Sequence, residues 1–95
     1  MDNKQLLYKS FLELKTIAEV EAYLADLLTP AEIREFAERL TIANLLLKGE
    51  KYQQISSDTK SSTRTIARVR KCLNNEQVGY NLVLRRLHHH EPTRL

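Results

Sequence analysis

The segment TPAEIREFAERLTIANLLLKG, from Thr29 to Gly49, leaves this chain few ways to fold. Thr29 and Glu32 have the spacing of a capping box, and Pro30 between them occupies the first helical position, where a missing N–H costs nothing. Gly49 is placed to take the left-handed turn that ends a helix, so the pattern predicts one from about Pro30 to Lys48. At about 100° per residue, Ile33, Phe36, Ala37, Leu40, Ala43 and Leu47 fall on one side. Ile42, Leu45 and Leu46 fall roughly opposite, which makes the second half of the helix apolar all round. A chain of 95 residues buries only roughly 60–70% of its unfolded surface when folded alone. The remaining segments do not readily cover such a helix, and the pattern therefore predicts a homodimer in which helices of two subunits enclose each other. A central helix in a monomeric bundle is the alternative left open here.

Other segments are helical as well. The chain is 42% hydrophobic with two Gly and two Pro, a balance that argues against disorder and against a loop-rich or strand-rich fold. Leu6, Leu7, Phe11 and Leu14 recur at helical spacing from about Asn3 to Leu14. Thr16 and Glu19 form a second capping box, after which Ile17, Val20, Leu24 and Leu27 line one face. Beyond Gly49, two short helical patterns run from Tyr52 to Thr59 and from about Ser62 to Leu73. Asn74 and Asn75 break the pattern. A last helix, from about Val78 to His88, sets Leu82, Leu84 and Leu87 among Arg85 and Arg86. The expectation is a single all-α domain, 1–95, with a helical dimerisation core at 3–48, a helix-turn-helix at 52–73, a C-terminal helix at 78–88 and a loose tail at 89–95. No apolar run approaches the ~20 residues that span a bilayer. The N-terminal MDNKQLLYKSFLEL carries acids inside it, unlike a signal peptide. These features predict a cytoplasmic protein with no membrane partner.

Charge is unevenly distributed. Residues 1–50 carry six Lys/Arg against nine Asp/Glu, and residues 51–95 carry nine against three. The basic half fits an electrostatic footprint for phosphate. Within it, YQQISSDTKSSTRTIARVRK has the frame of a helix-turn-helix. Ile55 packs inward from the first helix, small Ser56 lets the second approach, and Ile66 and Val69 point back into the pocket so formed. Thr63, Arg64, Ala67, Arg68 and Lys71 then form the outward face, with Ser62 as N-cap. Arg64 and Arg68 lie one turn apart, so two guanidinium forks project together toward guanine acceptors or phosphate. Ser62 and Thr63 lie near the helix N-terminus, within reach of phosphate oxygens. Double-stranded DNA is the partner this arrangement suits, and Ser62, Thr63, Arg64, Ala67, Arg68 and Lys71 are the candidate contacts.

Other chemistry finds little support. His88, His89 and His90 are consecutive, and consecutive helical side chains splay too far apart to chelate one ion together, so no metal is expected. Cys72 has no second cysteine to pair with and reads as a core or interface thiol. Glu32, Glu35 and Glu38 are spaced as a solvated face, with Arg34 and Glu38 an i,i+4 pair. The four tyrosines are scattered and read as core or interface anchors. No acid–base pair, nucleophile frame or phosphate loop is present, which argues against an enzyme and gives no cofactor.

The same residues resemble a known family. LTPAEIREFAERLTIANLLLKGE, followed by YQQISSDTKSSTRTIARVRKCLN and the closing GYNLVLRRL, is similar to the Trp repressor family and most closely to its YerC/YecD-like branch, over about Leu28 to Leu87. The resemblance implies a bacterial, all-helical, intertwined homodimer with a Trp-repressor-like fold. It further implies transcriptional control, as a repressor, with two recognition helices set for successive major grooves. Arg39 and Arg68 fall where two arginines flank bound indole in the family's repressors, and Thr29 falls near the matching threonine, making these three the candidate effector pocket. Val69, however, replaces the glycine that follows the second arginine, and its branched side chain takes room the ring needs. The helix-turn-helix is also one residue shorter than in tryptophan-responsive members. Lys60 stands where a glycine usually makes the turn, a left-handed conformation that costs a side-chain-bearing residue about 1 kcal/mol or more. The expectation is DNA binding without tryptophan as obligatory corepressor and with the effector unknown. A rival reading is a helical dimeric protein-interaction module whose basic face binds an acidic protein partner.

Overall fold

The structure is a computed structural model that describes residues 1–74 and 78–89. Among these residues there are six helices and no strand: α1 (Asn3–Phe11), α2 (Ile17–Leu27), α3 (Pro30–Leu47), α4 (Tyr52–Thr59), α5 (Thr63–Asn74) and α6 (Gly79–His89). The expected all-α architecture is the one found. No described helix is long and apolar enough to cross a membrane. The chain divides into two compact units, Met1–Arg34 and Glu35–Leu95.

In the first unit, helix starts are fixed by side-chain caps. Asp2 Oδ1 accepts from the Gln5 amide at 2.8 Å. Thr16 Oγ1 accepts from the Glu19 amide at 3.1 Å, while the Glu19 carboxylate reaches back one residue further than a capping box does, to the Lys15 amide at 2.9 Å. The box at Thr29 is complete: the Glu32 amide donates to Thr29 Oγ1 at 3.1 Å and the Thr29 amide donates to Glu32 Oε1 at 2.9 Å. The α1 helix ends at Phe11 and not at Leu14. Leu12, Glu13 and Leu14 donate to carbonyls three residues back, a tightening that lets the chain leave the helix and present Thr16 in extended backbone as the next cap. Tyr23 Oη donates to Ser10 Oγ at 2.5 Å, and its ring meets Phe11 edge-on at 5.7 Å between centroids. No residue of α1 or α2 is buried.

The second unit holds the core. Ile42, Ala43 and Leu46 from α3 join Ile55, Ile66, Val69 and Leu84, with Leu45, Tyr52, Leu73 and Tyr80 packed against them. Of the two apolar sides of α3, one is closed over by α4, α5 and α6. The other stays largely open: Phe36, Leu40 and Leu47 are 50%, 38% and 43% exposed, although Ala43, which the spacing puts on that side, is buried in the core. Gly49 has φ +86°, and the Gly49 and Glu50 amides donate back to Leu46 and Leu45, the paired bonds of a Schellman stop. His89, expected in the tail, is the last residue of α6, while residues 90–95, with His90 and Pro92, lie outside the described residues, as does Asn75. His88 contributes a ring nitrogen to a 2.7 Å hydrogen bond with Asn44 Oδ1, which ties α6 to α3.

Candidate nucleic-acid interface

Helices as short as α4 and α5 are marginal in isolation and hold only by packing on something else. Ile55 and Ile66 are fully buried and Val69 is 4% exposed. These are the inward residues expected of a helix-turn-helix. Each buried aliphatic side chain contributes about 1.5–3 kcal/mol, enough for three of them to fix one helix across the other.

The turn between them is built from hydroxyls. Lys60 takes the left-handed conformation, φ 61° and ψ 19°, as the C-cap of α4. Thr59 Oγ1 donates to the Ile55 carbonyl at 2.7 Å and accepts from the Ser61 amide at 3.3 Å. Ser56 was expected to matter for its small size; in addition, its Oγ donates to the Ser61 carbonyl at 2.7 Å. Ser61, only 5% exposed, donates its own hydroxyl to Glu38 Oε1 on α3. Next in the chain, Ser62 caps α5: its Oγ accepts from the Thr65 amide at 3.2 Å and its carbonyl from the Ile66 amide at 3.1 Å. The amides of Thr63 and Arg64 remain at the positive end of the helix, where an anion finds unpaired donors.

All six candidate contacts are exposed: Ser62, Thr63, Arg64, Ala67, Arg68 and Lys71. Arg64, Ala67, Arg68 and Lys71 lie on the side of α5 opposite Ile66 and Val69, Ser62 and Thr63 stand at its N-terminus, and α5 contains no acid. The result is a helix with one face in the core, the other offering two guanidinium groups and an ammonium, and two hydroxyls at its start. Such a face combines the fork geometry that reads guanine with the charge that phosphate needs.

Two of the three candidate effector residues come together. Arg39 and Arg68 line one hollow of about 160 Å³ with Thr65, Val69, Cys72 and Tyr80. Val69 forms part of its wall. Arg39 lies over the Phe36 ring at 5.6 Å and makes a loose 3.9 Å pair with Glu35, a half-exposed contact that restrains it only weakly. A second, almost wholly apolar hollow of about 420 Å³ shares Cys72 and Tyr80 with the first and adds Leu40, Gly79 and Val83. Thr29 belongs to the first unit as the cap of α3, and its hydroxyl already accepts from the Glu32 amide.

Three further residues contribute to the site. Thr65 sits between outward Arg64 and inward Ile66, so its place on the helical wheel is a usable signal. Tyr80, expected as a core or interface anchor, packs against the core and also lines both hollows. Glu38 was assigned to a solvated face and paired with Arg34; it bonds to Ser61 instead, and the ion pair formed on that helix is Glu35–Arg39. Nothing local announces a partner 23 residues away.

The model of the Trp repressor protein family matches residues 2–88. The chain is 40% identical over 81 residues to the uncharacterised protein YerC of Bacillus subtilis (strain 168), a match covering 85% of this chain and 78% of that one. Among solved structures, a TrpR-like protein from Eubacterium eligens ATCC 27750 superposes with a TM-score of 0.84 at 33% identity, covering 88% of this chain and 87% of that one. A second such structure, from Staphylococcus aureus, gives a TM-score of 0.84 at 30% identity over 88% and 84% of the two chains. A family match over nearly the whole chain, joined to a helix-turn-helix with its basic face outward, places this protein in the Trp repressor family, in its YerC-like branch.

Proposed function

We propose that this protein is a homodimeric, sequence-specific DNA-binding transcriptional regulator, acting as a cytoplasmic repressor, whose α5 enters the major groove. One observation carries the reading: Ile55, Ile66 and Val69 are buried while Arg64, Arg68 and Lys71 stand exposed on the opposite face. Arg64 and Arg68 are assigned to base edges and adjacent phosphate, Ser62, Thr63 and Lys71 to phosphate, and Ala67 to close approach or a thymine methyl group. Dimerisation is supported by the open side of α3 and by Leu82, Val83 and Leu87 of α6, which are 45–48% exposed. Aliphatic rows of this kind gain by covering one another.

Arg39 and Arg68 are the proposed effector site. The wall formed by Val69 argues against indole as an obligatory occupant, so operator binding is expected without tryptophan. Isothermal titration with tryptophan, in the presence and absence of DNA, tests this; tight stoichiometric binding that raises operator affinity contradicts it.

Selection of bound duplexes from a random pool by the purified protein tests the main reading. The expected product is a palindrome with half-sites about one helical turn apart. Affinity should fall ~10³-fold or more between 50 and 200 mM salt. Recovery of no duplex, together with binding of an acidic protein lost in Arg68→Ala, selects the protein-interaction module instead.

A further inference from the structure

We infer that Glu38 is a positioning residue for DNA recognition: its carboxylate anchors the turn that starts α5 and so sets where Ser62, Thr63 and Arg64 stand. The inference rests on the reading of α5 as the recognition helix. Glu38 lies one turn before Ile42, a fully buried residue of α3, and therefore stands where the core reaches the helix-turn-helix. From there it accepts the hydroxyl of Ser61, a 5%-exposed residue whose other polar groups are also engaged, the amide with Thr59 Oγ1 and the carbonyl with Ser56 Oγ. Ser61 is thus a pivot with every arm tied. Of those arms, only the hydroxyl leaves the helix-turn-helix.

Packing alone does not do this work. Contacts among Ile55, Ile66 and Val69 hold α5 across α4, but burial is non-directional and does not by itself single out where the first residues of α5 stand. A hydrogen bond to a charged acceptor is directional and stronger than a neutral one. Placed one residue before the Ser62 cap, it fixes the helix at the end that carries the candidate phosphate and base contacts. Glu38 itself is exposed, so its charge is held without the penalty of burial.

The charge makes the test discriminating. Glu38 is an anion on a DNA-binding unit, and on electrostatic grounds alone its removal tightens binding to any duplex. Positioning predicts the reverse. With the selected duplex and a random-sequence duplex of equal length as probes, Glu38→Ala and Ser61→Ala each weaken the selected duplex by about tenfold, the discrimination of one base contact. The random duplex suffers less, and the double variant is no weaker than either single one. Glu38→Gln keeps an acceptor oxygen and stays within about twofold of wild type. Independently of DNA, amide hydrogen exchange at Ser61 to Ile66 quickens in Glu38→Ala while that at Ala43 and Leu46 does not. Unchanged exchange at the turn, or a Gln variant as weak as the Ala variant, overturns the inference. Failure of the wild-type protein to bind any duplex removes the recognition role together with the reading of α5, whatever the exchange result.

Discussion

At single residues, backbone conformation and capping chemistry make opposite demands at two left-handed positions. Gly49 has φ +86° with nothing within 4 Å of an added Cβ, so Gly49→Ala meets no clash and costs only the conformational penalty, about 1 kcal/mol. Lys60 already bears that penalty at φ 61°. Lys60→Gly relieves it but loses more backbone entropy on folding, leaving a net gain of about 0.5 kcal/mol. Urea unfolding of the two variants reads the opposite signs directly. Glu32 supplies a pH effect. Hydrogen bonding by Thr29, first through its backbone amide and then through its side chain, lowers the Glu32 pKa from an ordinary value of 4.5. A folded-state pKa below the unfolded one means that the unfolded chain binds more protons, so stability rises with pH in that window. The contribution is therefore present above 4.5 and disappears as pH falls through the lowered folded value. In Glu32→Gln, the stability deficit relative to wild type seen at neutral pH should close on acidification. A deficit that persists unchanged at pH 3 contradicts this origin.

Among the elements, α4 and α5 separate packing from recognition on one short helix. Ile66→Ala empties a fully buried site and should cost about 2–5 kcal/mol of stability. Arg64→Ala, at an exposed position, should change stability by no more than about 0.5 kcal/mol and weaken the selected duplex about ten- to a hundredfold. Paired denaturation and binding curves check both, and an Ile66 variant that unfolds normally but loses DNA contradicts the division. This division was legible in the sequence because local periodicity decides it. The spacing of Ile55, Ile66 and Val69 and the Ser62 cap follow from neighbours within a turn or two, whereas the left-handed turn at Lys60 is what the family resemblance implies. The expected stop at Gly49 is local in the same sense. What stayed hidden was set by partners far along the chain: Glu38 with Ser61, and His88 with Asn44, 23 and 44 residues apart. Even the end of α1 was decided from outside the helix, because the cap at Thr16 overrode an apolar spacing that included Leu14.

For the whole molecule, the open side of α3 decides the outcome. Leu47 is 43% exposed on that side, and Leu87 is 46% exposed on α6. In a twofold assembly the same patch is used by both subunits, so one substitution enters the interface twice. Covering a leucine contributes about 1.5–3 kcal/mol, and losing two such contributions, roughly 3–6 kcal/mol, raises the dimer dissociation constant by about 10²–10⁴-fold. Sedimentation equilibrium should thus find wild type dimeric at micromolar concentration and Leu47→Lys largely monomeric, with helix content retained in circular dichroism. DNA binding supplies a second reading of the same change. A monomer places one α5 on one half-site and neutralises about half as many phosphates, so the slope of log affinity against log salt should fall to about half. Leu47→Lys adds a cation to the protein, which by itself steepens that slope, so a shallower slope is evidence of lost partnership and not of altered charge. A Leu47→Lys protein that stays dimeric with the wild-type salt slope places the subunit contact elsewhere and leaves the open side of α3 to another use.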